Sequence, residues 1–279
     1  MFAALLSALA NAGGMISDKF ILSKERVTLR VFLPISFILV FAFTLLLTPW
    51  LGHVDWTLAQ MSNALFLLFI MILLAIGENV LYYQTLQQDK AHHHEMLQMF
   101  TPLFTIILAA VFFSEEVNVR ILVLAIISSG ALIYAKSNRE HFMPSQTTYN
   151  ALLGMVMLAA ESIVIRELLF FYTPVALYAI RTFFLALFFL AYYHPHLGQV
   201  KAKHWGMIAV SSLIGGAMMI ARFYAFSELG LIYTTMITIL APMIVFLFSW
   251  SLLHERIKVR IIVSLIVILA CVTIATFIK

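Results

Sequence analysis

The sequence predicts an all-α integral membrane protein, ten transmembrane helices arranged as two inverted five-helix repeats. Three observations predict it. The 279 residues are 63% hydrophobic and 11% charged, with a mean hydropathy of +1.02, whereas a globular domain carries roughly a quarter charged residues. Ten apolar runs of about 20 residues, the length that crosses a hydrocarbon core of about 30 Å, follow one another closely. The second half of the chain also echoes the first at a fixed offset.

The apolar runs fall near 2–22, 28–48, 61–87, 91–113, 117–136, 149–170, 174–194, 205–229, 231–252 and 258–278. The longest connections, His53 to Gln60 and Ser137 to Thr148, leave no room for a soluble domain. The first run lacks a basic start and carries Asp18-Lys19 where a secretion signal would place a small-residue cleavage site, so it is read as helix 1. Cys271 is the single cysteine; it cannot form an internal disulfide and reads as a small core residue. The formal charge of +4 sits at span ends, a pattern of membrane topology that implies lipid as a partner and no nucleic acid.

A shift of 140 residues lays Pro102 over Pro242, Glu115 over Glu255 and Arg120 over Arg260. Nine of the 41 pairs from Met96 to Lys136 are identical, where two apolar helices would match at roughly four by chance. With a few residues inserted, Lys19 and Arg30 align with Arg166 and Arg181. The repeats are thus 1–140 and 141–279, each with five helices. An odd number makes the second copy enter the membrane from the opposite side, an arrangement that places a binding site near the midplane between the halves.

A Tyr-bearing third helix, Pro102 early in the fourth, Glu115 thirteen residues later, and the openings Arg30-Val31-Phe32 and Arg181-Thr182-Phe183 resemble the EamA-like, ten-helix branch of the drug/metabolite transporter superfamily. The resemblance spans the chain and rests on short motifs. It implies transport of a small metabolite by alternating access, without naming the substrate. The family pattern places small residues after the Tyr of helix 3, whereas Gln84 follows Tyr83 here, which implies a more polar pocket.

Helix 3 carries AIGENVLYYQ, residues 75–84, straight after a run without charge. Glu78 lies eleven residues before Asp89, about 16 Å at 1.5 Å per residue, against a hydrocarbon half-thickness of about 15 Å. It is therefore expected near mid-depth. Tyr82 follows at i+4 on the same face, and Asn79 and Tyr83 form a neighbouring pair. Such a stripe serves a cavity or, alternatively, ties helix 3 to a neighbour by a hydrogen bond or ion pair.

Two further charges lie deep. Glu161 is central in helix 6, and Arg222 is about eight residues from the Gly230 turn. If these face the cavity, the acids would hold an ammonium, Arg222 would fork onto a carboxylate, and Tyr82, Tyr83 and Tyr224 would offer ring faces. The matching substrate is a zwitterion, an amino acid or a derivative of one. An ion pair between Arg222 and either Glu is the structural alternative.

The run HHHEMLQM, residues 92–99, has the most metal-like composition, but contiguous histidines point apart and no second cluster completes a site. These histidines are read as interfacial, and no metal or other cofactor is expected. Gln98 and Thr101 lie deeper and are cavity candidates. Glu115 and Glu255 are read as structural acids at the entrances of helices 5 and 10. Trp50, Trp56 and Trp205 read as interface anchors, and Gly13-Gly14 and Gly215-Gly216 as points of close helix approach.

No nucleotide-binding loop or catalytic triad occurs, so the chain is read as no enzyme. That leaves exchange or proton coupling, with Glu78 or Glu161 as the proton carrier. Rival readings are an organic-cation or drug exporter and a membrane-embedded lipid-modifying enzyme built on His92 to Glu95. Loops after the odd-numbered helices carry twelve basic residues against five on the other side. Positive-inside reasoning thus puts both termini outside, whereas the resemblance implies both inside. The expected location is the cell (inner or plasma) membrane, as monomer or homodimer.

Overall fold

The computed structural model describes residues 1–25, 27–54, 62–88, 100–113, 115, 117–136, 146–195, 200–241 and 259–278. Its regular elements among these residues are helices: α1 (Phe2–Lys19), a π-helical turn (Phe20–Lys24), α2 (Leu29–Leu51), α3 (Ser62–Gln88), α4 (Thr101–Phe112), α5 (Val119–Lys136), α6 (Gln146–Leu168), α7 (Pro174–Tyr193), α8 (Ala202–Leu229), α9 (Leu231–Thr238) and α10 (Val259–Ile278). Leu29–Leu51, Asn63–Thr85, Pro174–Tyr193 and Ala202–Leu229 are long and apolar enough to cross a membrane. Their outer faces, and those of the shorter apolar helices, leave large hydrophobic side chains uncovered, among them Leu46, Phe66, Val111, Leu187 and Phe277. A multi-pass membrane protein accounts for such faces, because lipid replaces water around them.

Local chemistry explains the helices. In an apolar medium every backbone polar group needs an internal partner, which a helix supplies. Hydroxyls inside the bundle donate back to the carbonyl one turn earlier, as Thr44 does to Val40, Thr105 to Thr101, Ser129 to Ala125 and Thr182 to Tyr178. Pro174 opens α7 behind an extended Thr173, where a proline's missing N–H costs nothing. Gly230, with φ of 82°, turns the chain between α8 and α9 in a conformation that a side chain would strain. The Thr234 hydroxyl fastens this turn by donating to the Ala225 carbonyl at 2.9 Å.

The largest packings pair α3 with α6, α1 with α8, α2 with α7 and α5 with α10, while α4 touches both α6 and α9. Two glycines let α3 and α6 close up: a Cβ on Gly77 would lie 2.2 Å from the Met157 methyl, and one on Gly154 would lie 3.2 Å from the Leu81 Cβ. The expected pairs behave less uniformly. Gly13 and Gly14 face Ile214 at an ordinary 3.8 Å, Gly216 meets Phe43 at 3.3 Å, and Gly215 has open space.

Several expectations change in detail. The first span leaves α geometry at Lys19 and ends in the π-helical turn. Glu115 stands exposed four residues ahead of α5 and is no entrance acid. Asn118 caps that helix instead, its Oδ1 accepting from the Arg120 N–H at 3.1 Å, a bond that a carboxylate placed three residues further back cannot make. Trp50 ends α2 with its ring exposed, whereas Trp205 packs partly buried against a core of Phe32, Phe37 and Phe189. Cys271 is buried with a free thiol. The His92 to Met99 run, Gln98 within it, Trp56, Pro242 and Glu255 lie outside the described residues.

Candidate functional site

A cavity of about 260 Å³ runs between the helices, lined from α1, α2, α3, α4, α7, α8 and α9 and at single points by α5 and α6. α3 contributes Glu78, Asn79, Tyr82 and Tyr83, as the sequence stripe implies. The Glu78 side chain is buried among the helices, and its Oε2 accepts from Asn79 Nδ2 at 2.7 Å. Asn79 also donates to the Ala75 carbonyl at 2.8 Å, so that amide holds the carboxylate against its own helix. Tyr82 and Tyr83 meet edge to face with centroids 4.9 Å apart, and Phe32 packs on Tyr83 at 5.5 Å.

Arg222 lines the same cavity from α8. Its guanidinium carbon lies 5.8 Å from the Phe226 ring, and its buried Nε has no hydrogen-bond partner among the described residues. The expected alternative, an ion pair between Arg222 and Glu78 or Glu161, is not what forms. Glu161 pairs instead with Arg181, which donates from Nε at 2.5 Å to one carboxylate oxygen and from Nη2 at 3.1 Å to the other. α7 brings Arg181 there because it stands seven residues after Pro174, deep in its helix. Glu161 is fully buried behind this fork and is not among the cavity's lining residues.

Tyr224 also falls outside the lining. It is two residues from Arg222, about 200° around a helix, and so it packs into the core on the other side of α8. Gln84 does not reach the lining either. Thr101 joins it, with Thr105 one turn on.

Sequence reasoning missed five contributors. Arg181 appears in the sequence as part of a helix-opening motif, yet its distance from Pro174 carries the signal of its depth. Asp18 reads as the end of helix 1, but it lines the cavity, where Ser211 of α8 donates to its Oδ1 and the Tyr83 hydroxyl donates to its Oδ2 at 3.3 Å. Ser36, Ser212 and Thr235 also line this space, and their buried hydroxyls have no partner among the described residues. Lone hydroxyls in apolar helices give no pattern that would single them out.

The described residues include no cluster of His, Cys, Asp and Glu able to hold a metal ion. A mostly apolar chamber with a few charged and hydroxyl side chains is the construction of a small-molecule site in a helical membrane bundle. Residues 148–277 match the family described as EamA-like transporter family. That match, over the second half of the chain, supports membership in the drug/metabolite transporter superfamily, and the EamA family described is one of transporters. The fold is similar to that of a protein solved by crystallography, with a TM-score of 0.76 and 12% identity over 99% of this chain and 96% of the other. At that identity the likeness speaks for the fold alone. None of the curated proteins compared matches the chain.

Proposed function

We propose that the protein is a secondary-active exporter or exchanger of a small zwitterionic metabolite, an amino acid or a derivative of one, in the cell membrane. One observation carries the reading: Glu78 and Arg222 line one cavity, and neither forms an ion pair among the described residues. Ionisable groups in a membrane interior are costly unless paired, so an unpaired acid and base facing one space favour a ligand that brings both opposite charges. Glu78 takes the ammonium, Arg222 forks onto the carboxylate, and the hydroxyls of Ser36, Ser212 and Thr235 receive the remaining polar atoms. Tyr82 and Tyr83 offer aromatic contact beside the ammonium.

An organic cation would leave Arg222 facing a like charge. Glu161, held by Arg181, is poorly placed to carry a proton.

Alternating access between two inverted halves, 1–140 and 141–279, is the mechanism we favour. The packing supports it. Exchanging each helix with the one five places on turns the α1–α8 contact into the α6–α3 contact, and returns α2–α7, α4–α9 and α5–α10 to themselves. Vesicle uptake tests the function: Glu78→Gln and Arg222→Gln, expressed at wild-type level, should each abolish uptake of a zwitterionic amino acid. Uptake unchanged in both rejects the assignment.

A further inference from the structure

We propose that Asp18, with Ser211 and Tyr83, forms a second cation subsite in the cavity, so that the transported load carries one positive charge more than a zwitterion. This inference rests on the zwitterion reading of Glu78 and Arg222 and adds to it.

Three helices build the subsite. α1 supplies the carboxylate, α8 the Ser211 hydroxyl and α3 the Tyr83 hydroxyl, both donating to Asp18. All three residues line the cavity together with Glu78 and Arg222. Two hydroxyl donors occupy part of the carboxylate's acceptor capacity and leave room for a cationic donor. Next to Ser211, Ser212 also lines the cavity, and its buried hydroxyl lacks a partner among the described residues.

The charges settle what is needed. Glu161 and Arg181 cancel each other. Among the described residues, the lining then keeps two acids, Asp18 and Glu78, against one base, Arg222. A zwitterion satisfies Glu78 and Arg222 and leaves Asp18 without a counter-charge. The titratable group touching Asp18 is Tyr83; Glu25, Lys203 and His204 stand further along the α1–α8 pair and contact one another. A cationic group from the load is the missing partner, because an acid without a counter-charge in a cavity walled by apolar helices is expensive.

Position suggests where that charge sits. Tyr83 follows Glu78 by five residues, about 7.5 Å along the helix. An ammonium on a four-carbon stem spans about that distance from its α-amino group. The charge therefore comes either from the side-chain ammonium of a diamino acid or from a proton travelling with a neutral amino acid, and these two sources separate in one experiment.

Lysine and leucine uptake are measured in proteoliposomes holding wild type, Asp18→Asn, Ser211→Ala, Glu78→Gln or Arg222→Gln. If the diamino acid is the source, wild type takes up lysine, Asp18→Asn raises the lysine KM by about tenfold or more, and the leucine KM stays within about twofold. If the proton is the source, a pH gradient drives leucine uptake in wild type, and Asp18→Asn loses the gradient dependence while keeping exchange. Ser211→Ala shifts the same quantity in the same direction by a smaller factor, and carries the test if Asp18→Asn fails to fold. The subsite is overturned if Glu78→Gln and Arg222→Gln abolish uptake while Asp18→Asn, or Ser211→Ala in its place, alters neither lysine selectivity nor gradient dependence. Unchanged uptake in Glu78→Gln and Arg222→Gln overturns the underlying zwitterion reading instead.

Discussion

Arg181 grips both oxygens of Glu161, at 2.5 and 3.1 Å, while Arg222 on the neighbouring helix is left facing the cavity. That division of labour sorts the two arginines into a paired one and a free one. A guanidinium fork matched to one carboxylate has its charge neutralised and two of its five donors spent. The free one has five donors to spend.

Breaking the fork should therefore unfold rather than merely inactivate. Glu161→Gln or Arg181→Gln leaves a buried charge without its partner and should destabilise the protein by about 3–5 kcal/mol. Thermal unfolding of purified protein checks it. The double variant Glu161→Leu/Arg181→Met should recover much of the loss; equal damage in the double variant would show that the pair does more than neutralise itself.

The α3–α6 contact makes a second prediction. Gly77→Ala meets the terminal methyl of Met157, a flexible end that can swing aside, so its cost should be small. Gly154→Ala meets the Leu81 Cβ at 3.2 Å, which is fixed to the backbone, so the helices must part. Overpacking of that kind costs about 1–3 kcal/mol. Unfolding temperatures should therefore fall more for Gly154→Ala than for Gly77→Ala.

At the surface end of the α1–α8 pair, Lys203 donates to Glu25 at 2.7 Å and His204 lies 3.7 Å away. The Lys203 ammonium holds the Glu25 carboxyl below the usual carboxylate range. A lowered value means the contact is present above the unfolded carboxylate range and is lost as pH falls through the folded value. The pair is exposed and salt-screened, so it should matter little to stability. A spectroscopic titration of Glu25 should move up toward the ordinary range in Lys203→Gln, with the unfolding temperature almost unchanged.

How much of this was legible beforehand follows from which signals are local. Glu78, Asn79, Tyr82 and Tyr83 were readable because depth and helical phase can be counted along one segment. The partner of Glu161 was not, because Arg181 and Arg222 both look available in sequence and helix packing alone decides between them. Tyr224 is out of phase with the site: it is too far around α8 from Arg222 to share its face. Asp18 reads as a helix end, since nothing in the sequence shows that α8 and α3 bring hydroxyls to it. The helical, apolar character was plain from composition, and packing added which helix touches which.

The central claim is that one cavity recognises both ends of a zwitterion, and binding measured on wild type and Arg222→Gln tests it most directly. An amino acid, the amine lacking its carboxylate and the acid lacking its amino group are compared by thermal stabilisation. Wild type should prefer the amino acid over both fragments by about tenfold or more, and Arg222→Gln should bind the amino acid no better than the amine. Equal binding of all three by wild type, or an Arg222→Gln variant that keeps the full preference, would contradict the account.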